Sequence, residues 1–354
     1  MRKLVYMLLV LFVLLVGCSN EEDQAQANES KGNNIKEKTE PPEVEGEAEE
    51  FENVFPLTGI GTNTNADNRM VSVMVNNHTT ARPQTGLTQA DMVFEILAEG
   101  DITRFLALYQ SDMPDVVGPV RSAREYYFDL ATNYNALYVY HGAANFVNEM
   151  IQNRGIEHLD GSIHDNNGHL FKRESFRPAP HNSYLQFDGV YDAAERQGYD
   201  TTASDEPLEF LTEDEEQELS GDSAEYVEIA YSDNARDIVE FNYDVNSEKY
   251  TRYNDQTETV DLATGDPIQV DNVFIVETHH QVIDDEARRS IDFESGGNAY
   301  LIQKGKIQEV EWTNQNGRII PVKDGVPLGF APGKTWINVV PSSPGIGQDV
   351  TVSS

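Results

Sequence analysis

The stretch "MVSVMVNNHTTARPQTGLTQADMVFEILAEGDITRFLALYQS" (Met70–Ser111) decides the fold class. "MVSVMVNN" (Met70–Asn77) is an apolar run of strand length that ends in polar residues, which predicts a buried strand. "LTQADMVFEIL" (Leu87–Leu97) predicts a short helix leading into a strand, and "ITRFLALYQS" (Ile102–Ser111) predicts another strand. Downstream, "VRSAREYYFDLATNY" (Val120–Tyr134) sets Tyr127, Leu130, Ala131 and Tyr134 on one stripe at helical spacing. "ALYVYHG" (Ala136–Gly142) reads as a strand, "ANFVNEMIQNRG" (Ala144–Gly155) as a helix with a glycine stop, and "IEHLDG" (Ile156–Gly161) as a further short strand. Strands and helices alternate. The expectation over residues 55–198 is therefore an α/β N-terminal domain, a mixed sheet with helices.

The pattern changes after residue 198. Residues 199–224 read as an acidic connector with little strand potential. From Glu225 onward, segments such as "YVEIAYS", "DIVEFNYD", "KYTRYN", "AYLIQKGKIQEVEWT" and "TWINVVP" are short, β-branched or aromatic, and separated by Gly, Asn and Asp turns. They predict a mostly antiparallel, β-rich C-terminal domain over residues 225–350. Two domains also suit a length of 354 residues.

Charge removes whole classes of partner. Lys and Arg total 25 against 61 Asp and Glu, a formal net charge of −36. A polyanion needs a basic footprint, so nucleic acid is excluded as a partner. A hydrophobic fraction of 39% with 9% aromatics supports a folded core and excludes disorder throughout. The single cysteine, Cys18, rules out an intramolecular disulfide, a zinc finger or an iron–sulfur site.

That cysteine has a specific context. Met1-Arg2-Lys3 is a short basic segment, and Leu4–Val16 is an unbroken apolar run. The run is shorter than the ~20 residues a transmembrane helix needs and fits a signal-peptide core. "LVGCS" (Leu15–Ser19) follows at once and looks like a bacterial lipobox, which implies a signal peptide over residues 1–17, cleavage before Cys18 and acyl chains, palmitate among them, on its sulfur. Two acyl chains anchor stably. The expected location is the outer face of the cytoplasmic membrane. Residues 18–52, poor in large apolar residues and carrying Pro41-Pro42, read as an acidic disordered tether.

Three constellations are candidates for chemistry. Six of the eight histidines lie between His78 and His181. Asn76, Asn77 and His78 follow one apolar strand and His141 follows another; if those strands are parallel and adjacent, the four share a crevice beyond their carboxyl ends. "GPVRSAR" (Gly118–Arg124) places Arg121 and Arg124 at a helix start, with Arg104 as a neighbour, and arginine forks match carboxylate or phosphate. The competing reading is internal ion pairing with Glu95, Glu99, Asp101 or Glu125. "RPAPHNSY" (Arg177–Tyr184) is a proline-stiffened loop presenting His181, Asn182 and Tyr184.

Other patterns fail on spacing. "GFAPGKT" (Gly329–Thr335) has three residues between its glycines instead of four and leads into a strand, so it is no phosphate loop. "HDNNGH" (His164–His169) lacks the helical spacing of a metal pair and carries turn chemistry. No metal site and no cofactor are expected.

"VMVNNHTTARPQTGLTQADMVFEILAEGDITRFLALYQS", "VGPVRSAREYYFDLA", "APHNSY" and "LGFAPGKTWINVVP" together resemble the YerB-type bacterial lipoproteins, over about Phe55 to Pro341. The resemblance implies an exported, membrane-anchored protein with an α/β domain followed by a β-rich one, and brings no catalytic assignment. The order of elements is also similar to that of the LytR-CpsA-Psr phosphotransferases, which implies Arg121 and Arg124 near a pyrophosphate; their Pro-Arg-Asp signature is absent, since Glu125 follows Arg124. The expectation is a non-catalytic lipoprotein. It binds a cell-envelope component, a cell-wall polymer or a wall-synthesis protein through a crevice lined by Asn77, His78, Arg104, Arg121, Arg124, His141, His181 and Asn182. The alternative is a cell-wall polymer phosphotransferase or hydrolase, with Arg104, Arg121 and Arg124 on the anion and His78 or His141 as acid/base.

Overall fold

A computed structural model describes residues 51–354. The segments expected to be a signal peptide and, up to residue 50, a tether, with Cys18 between them, lie outside the described residues. Among the described residues no helix is long and apolar enough to cross a membrane.

The Met70–Ser111 stretch forms three strands, β1 (Val71–Asn76), β2 (Met92–Glu99) and β3 (Ile102–Tyr109), with a 3-10 turn at Leu87–Gln89 before β2. The chain continues through α1 (Glu125–Asn133), β4 (Leu137–Tyr140), α2 (Asn145–Asn153), β5 (His158–Asp160), β6 (Phe171–Arg173), β7 (Ser183–Gln186) and α3 (Val190–Gln197). The second half supplies β8 (Tyr226–Ala230), β9 (Ile238–Asp244), β10 (Lys249–Asn254), β11 (Asn272–Thr278), β12 (Gly297–Gln303), β13 (Lys306–Gln315), β14 (Arg318–Lys323), β15 (Thr335–Pro341) and β16 (Val350–Ser353).

One 12-stranded sheet runs through both halves, its long strands in the order β14-β13-β12-β11-β15-β2-β3-β1-β4-β5. The join is β15. It pairs parallel with β2 on one side (Trp336 opposite Val93, Asn338 opposite Glu95) and parallel with β11 on the other (Trp336 opposite Val273). β1 is parallel to β4, and β4 to β5, whereas β2–β3 and β3–β1 are antiparallel. The mixed sheet expected for the first half is present. The second half is mostly antiparallel, and β15 departs from that pattern because it pairs parallel with both its neighbours.

Side-chain alternation explains why the central strands carry unbroken apolar runs. Val71, Val73 and Val75 face one side of the sheet, Met70 and Met74 the other, and all are fully buried. The methionine face is covered by α1 and α2 through Tyr127, Leu130, Tyr134, Val147 and Ile151. The valine face is covered largely by a second sheet of six strands containing β10, β9, β8 and β16, through Val227, Ile229, Val239 and Phe241. The α/β expectation is therefore met only in part: helices are few, and much of one face is packed by strands from the second half. Residues 199–224 run along the body in hydrogen-bonded contact, with Leu211 N donating to Phe330 O at 2.8 Å and Phe330 N donating to Glu209 O at 2.9 Å.

A buried polar junction ties the two sheets together. Glu95 on β2 and Arg252 on β10 meet at 2.9 Å with side-chain exposures of 0% and 1%. The Glu95 carboxylate also accepts from Thr103 Oγ1 (2.9 Å), Asn77 Nδ2 (3.2 Å) and Trp336 Nε1 (3.0 Å). The Arg252 guanidinium lies between the Trp336 and Phe105 rings, 4.8 and 5.2 Å from their centroids. Removing one member of a buried pair strands the other charge, at a cost of about 3–5 kcal/mol. Arg252→Leu is expected to lower the urea-unfolding free energy by that order, while Glu95→Leu with Arg252→Leu loses less. A double variant less stable than the single would show that the stranded charge is not the source of the loss.

Candidate functional site

The carboxyl ends of β1 and β4 lie side by side, because Val71 and Val73 pair in parallel register with Leu137 and Val139. The condition set by the sequence for a shared crevice is thus satisfied. The segment after β3 is threaded between these ends. Asn76 N donates to Pro119 O (2.9 Å), Arg121 N to Met74 O (2.8 Å) and His141 N to Arg121 O (2.9 Å). Gly118 makes this close passage possible: a Cβ there would sit 2.7 Å from the Tyr184 ring. The Arg177–Asn182 loop is held over the same edge, with the Arg177 guanidinium donating to Ala81 O and Pro83 O.

Two imidazoles meet here. His78 and His181 stack with centroids 4.9 Å apart and planes at 27°. Asn76 Nδ2 lies 2.8 Å from His181 Nδ1, and Asn76 Oδ1 accepts from His78 N at 3.0 Å. The amide is oriented by that second bond, so it donates to Nδ1 of His181 and assigns the ring proton to Nε2. His78 Nδ1 accepts from Thr80 N at 3.1 Å, which likewise assigns its proton to Nε2. Both rings therefore carry an Nε2–H donor.

The three candidate arginines separate. Glu99 takes two of them: Arg124 Nη2 donates to it at 2.8 Å and Arg104 Nη2 donates to its other oxygen. Arg104 also donates to Ser122 O at 2.7 Å. Burial works to raise the Glu99 pKa, but Arg104, then Arg124 and Arg121, outweigh it and hold the carboxyl below its ordinary value. Burial, then Arg124, brings Arg104 down to about 10. Arg121 is different. Among the described residues it makes no ion pair, and its Nε is buried without a hydrogen-bond partner. Its charge reaches His181, whose pKa is depressed by burial first, then by His78, Arg121 and Arg177.

His141 and Asn182 join through Arg173, a residue the sequence analysis did not single out. Arg173 donates to Asn182 Oδ1 (2.9 Å) and to Asp165 (2.7 Å) and lies 3.4 Å from His141 Nε2. Asn77 points elsewhere, donating to Thr103 Oγ1 at 2.8 Å and to Glu95. The structure thus gathers Asn76, His78, Arg121, His141, His181 and Asn182 on one edge, adds Arg173, and engages Arg104 and Arg124 with Glu99. Arg173 lies eleven residues before Tyr184 of the proline loop, in "FKRES"; no local pattern distinguishes it from a surface arginine. Among the described residues no group of three or more His, Cys, Asp or Glu could hold a metal ion.

The depressed His181 pKa has a signed consequence. The unfolded state takes up the proton near 6.5 and the folded state only below it, so this residue lowers stability as pH falls through that window. Arg121→Ala is expected to raise the His181 pKa in an NMR titration while leaving the part due to burial and His78. An unchanged titration would place Arg121 too far from the ring to share a ligand with it.

Comparison with known proteins agrees with this architecture. Residues 57–200 match the family described as protein of unknown function (DUF3048), N-terminal domain, and residues 227–337 match its C-terminal domain. YerB of Bacillus subtilis (strain 168), a candidate lipoprotein, is 46% identical over 288 residues, 81% of this chain and 86% of that protein. The crystal structure of Bacillus subtilis YerB superposes with a TM-score of 0.77 at 44% identity, covering 85% of this chain and 99% of the crystallised one. The chain belongs to the DUF3048 family, which it shares with YerB.

Proposed function

We propose that this chain is a lipid-anchored extracytoplasmic protein that binds an anionic cell-envelope component, such as a phosphate-bearing wall polymer, at the Arg121–His181–His78 edge. Cys18 carries the acyl anchor, and residues 18–52 hold the globular part away from the lipid surface. The lipobox-like "LVGCS" and the similarity to a candidate lipoprotein support the anchor. One observation carries the binding role: in a chain of net charge −36, Arg121 makes no ion pair among the described residues and its charge reaches His181, one of two stacked imidazoles. A half-buried guanidinium with nearby Nε2–H donors suits an oxyanion, because charge-assisted hydrogen bonds are the stronger kind. The location also points to a ligand present outside the cytoplasm.

The enzymatic alternative needs three arginines on one anion. Glu99 engages two of them, which favours binding over transfer. The direct test is calorimetry of the full chain in detergent with poly(glycerol phosphate). Saturable binding that weakens by about tenfold or more in Arg121→Ala is expected, equivalent to roughly 1.4 kcal/mol. Equal affinity in the variant would overturn the assignment. Consumption of the polymer, lost in His141→Ala, would replace it with the transferase or hydrolase reading.

A further inference from the structure

The loop after β1 separates two recesses at the seam between the two sheets. The first, about 90 Å³, is bounded by His78, Asp101, Tyr231 and Asp237; the second, about 320 Å³, by Gln84, Thr257, Glu258 and Val260. Asn77, Thr79, Arg82 and Asn254 line both. None of Arg121, His141, His181 or Asn182 lines either one.

Arg82 stands between the recesses with its charge uncompensated by contact. Its Nε donates to Asn77 O and Oδ1, each at 3.1 Å, and its two terminal nitrogens reach only Arg236 O, at 3.4 Å. Among the described residues no carboxylate lies within ion-pair distance of it. Burial, then the positive charge of Arg252, outweighs the more distant carboxylates Glu95, Asp237 and Asp255 and brings its pKa down to about 10. Two residues of the lining also carry unmet buried acceptors. Gln84 Oε1 and Asn254 Oδ1 have no partner among the described residues, although the two residues are only 1% and 5% exposed. An exchanged amide does not explain them. Gln84 Nε2 donates to Asn76 O and Asn77 Oδ1, and Asn254 Nδ2 donates to Arg236 O and Ile238 O, so each amide is oriented by two acceptors. Buried acceptors without partners are costly in a folded protein and mark places where a donor belongs.

We propose that the paired recesses around Arg82 form a second ligand site, for a small carboxylate that also carries amide or amino N–H groups, the chemistry of an amino acid or a peptide C-terminus. Arg82 takes the carboxylate through its planar fork. Gln84 Oε1 and Asn254 Oδ1 take N–H groups. Asp101 on one side and Glu258 on the other suit an ammonium and oppose a multiply charged phosphate, while Asp237 is already paired with Arg236. This site shares His78 with the edge described above but not its arginine, so the two stand or fall separately.

Calorimetry of the full chain in detergent with three probes tests it. Glycylglycine carries both functions, acetate lacks the N–H groups, and glycinamide lacks the carboxylate. Saturable binding of glycylglycine is expected, with acetate and glycinamide at least about tenfold weaker. Arg82→Lys keeps the charge but loses the fork, and Thr257→Trp fills the mouth of the larger recess from an exposed position. Both are expected to weaken glycylglycine by about tenfold, and Arg121→Ala to leave it unchanged. Thr257→Trp carries the test if Arg82→Lys does not fold. No saturable heat with glycylglycine up to ~10 mM would overturn the proposal. So would undiminished affinity in Thr257→Trp, a preference for inorganic phosphate, or loss of binding in Arg121→Ala.

Discussion

Glu95 and Arg252 are 2.9 Å apart in the interior, on strands more than 150 positions apart in the chain, and four sequence segments converge on them. Stripping two charges of water is unfavourable unless hydrogen bonds replace the lost solvent. Here Asn77, Thr103, Arg252 and Trp336 fill the acceptor positions of the carboxylate, Thr259 Oγ1 takes Arg252 Nη1 at 2.8 Å, and two aromatic faces cover the guanidinium. β1, β2, β3, β10 and β15 must all be in place before the set is complete. The described residues, 51–354, consequently fall within one compact unit, and a half chain would expose an unpaired charge at its seam.

That junction also fixes the two candidate edges. Asn77 is held by Glu95 and Thr103, and its carbonyl and side-chain oxygens in turn hold Arg82 and Gln84. Asn76, one residue earlier, points its amide the other way, to His181. Adjacent residues of a strand project to opposite faces, so the pair Asn76-Asn77 distributes one loop between two separate chemistries. A shift of one residue in β1 would exchange them and bury His78 in place of Asn77. The parallel pairing of β1 with β4 opposes such a shift, since it would also move the valines from the face covered by the second sheet.

The local pattern of the sequence contained the elements but not their partners. Strand length and apolar runs predicted β1 to β5 and most of the later strands, because burial on two faces leaves a direct mark on composition. Nothing in "TWINVVP" says that it inserts between β2 and β11 in parallel, for pairing between distant strands is decided by tertiary packing. The histidines after β1 and β4 were legible as neighbours because both follow apolar runs, and the parallel pairing of those strands puts them on the same edge. The arginines were not: Arg104, Arg121 and Arg124 look alike in sequence, and only the position of Glu99 separates the two that it holds from the one it leaves. Arg82 gave no signal beyond preceding a proline in a loop after a strand.

The excess of acid over base bears on how an anion could reach such a protein. Charges more than about 8 Å apart are largely screened at physiological salt, so the acidic surface repels weakly beyond the first shell of residues. Close in, the balance reverses. One carboxylate, Glu99, is shared by Arg104 and Arg124 while Arg121 stands near it without an ion pair among the described residues, Arg177 acts on the His181 ring, and Arg173 holds the neighbouring Asn182. The arginines engaged with Glu99 are thus not neutralised; two cations on one anion leave a net positive site even before Arg121 is counted. Burial strengthens that field because less water surrounds it. Burial first, then His78, Arg121 and Arg177, depresses the pKa of His181. Its Nδ1 accepts from the Asn76 amide, so the ring offers Nε2–H as the donor beside the charge that a bound oxyanion would take from Arg121.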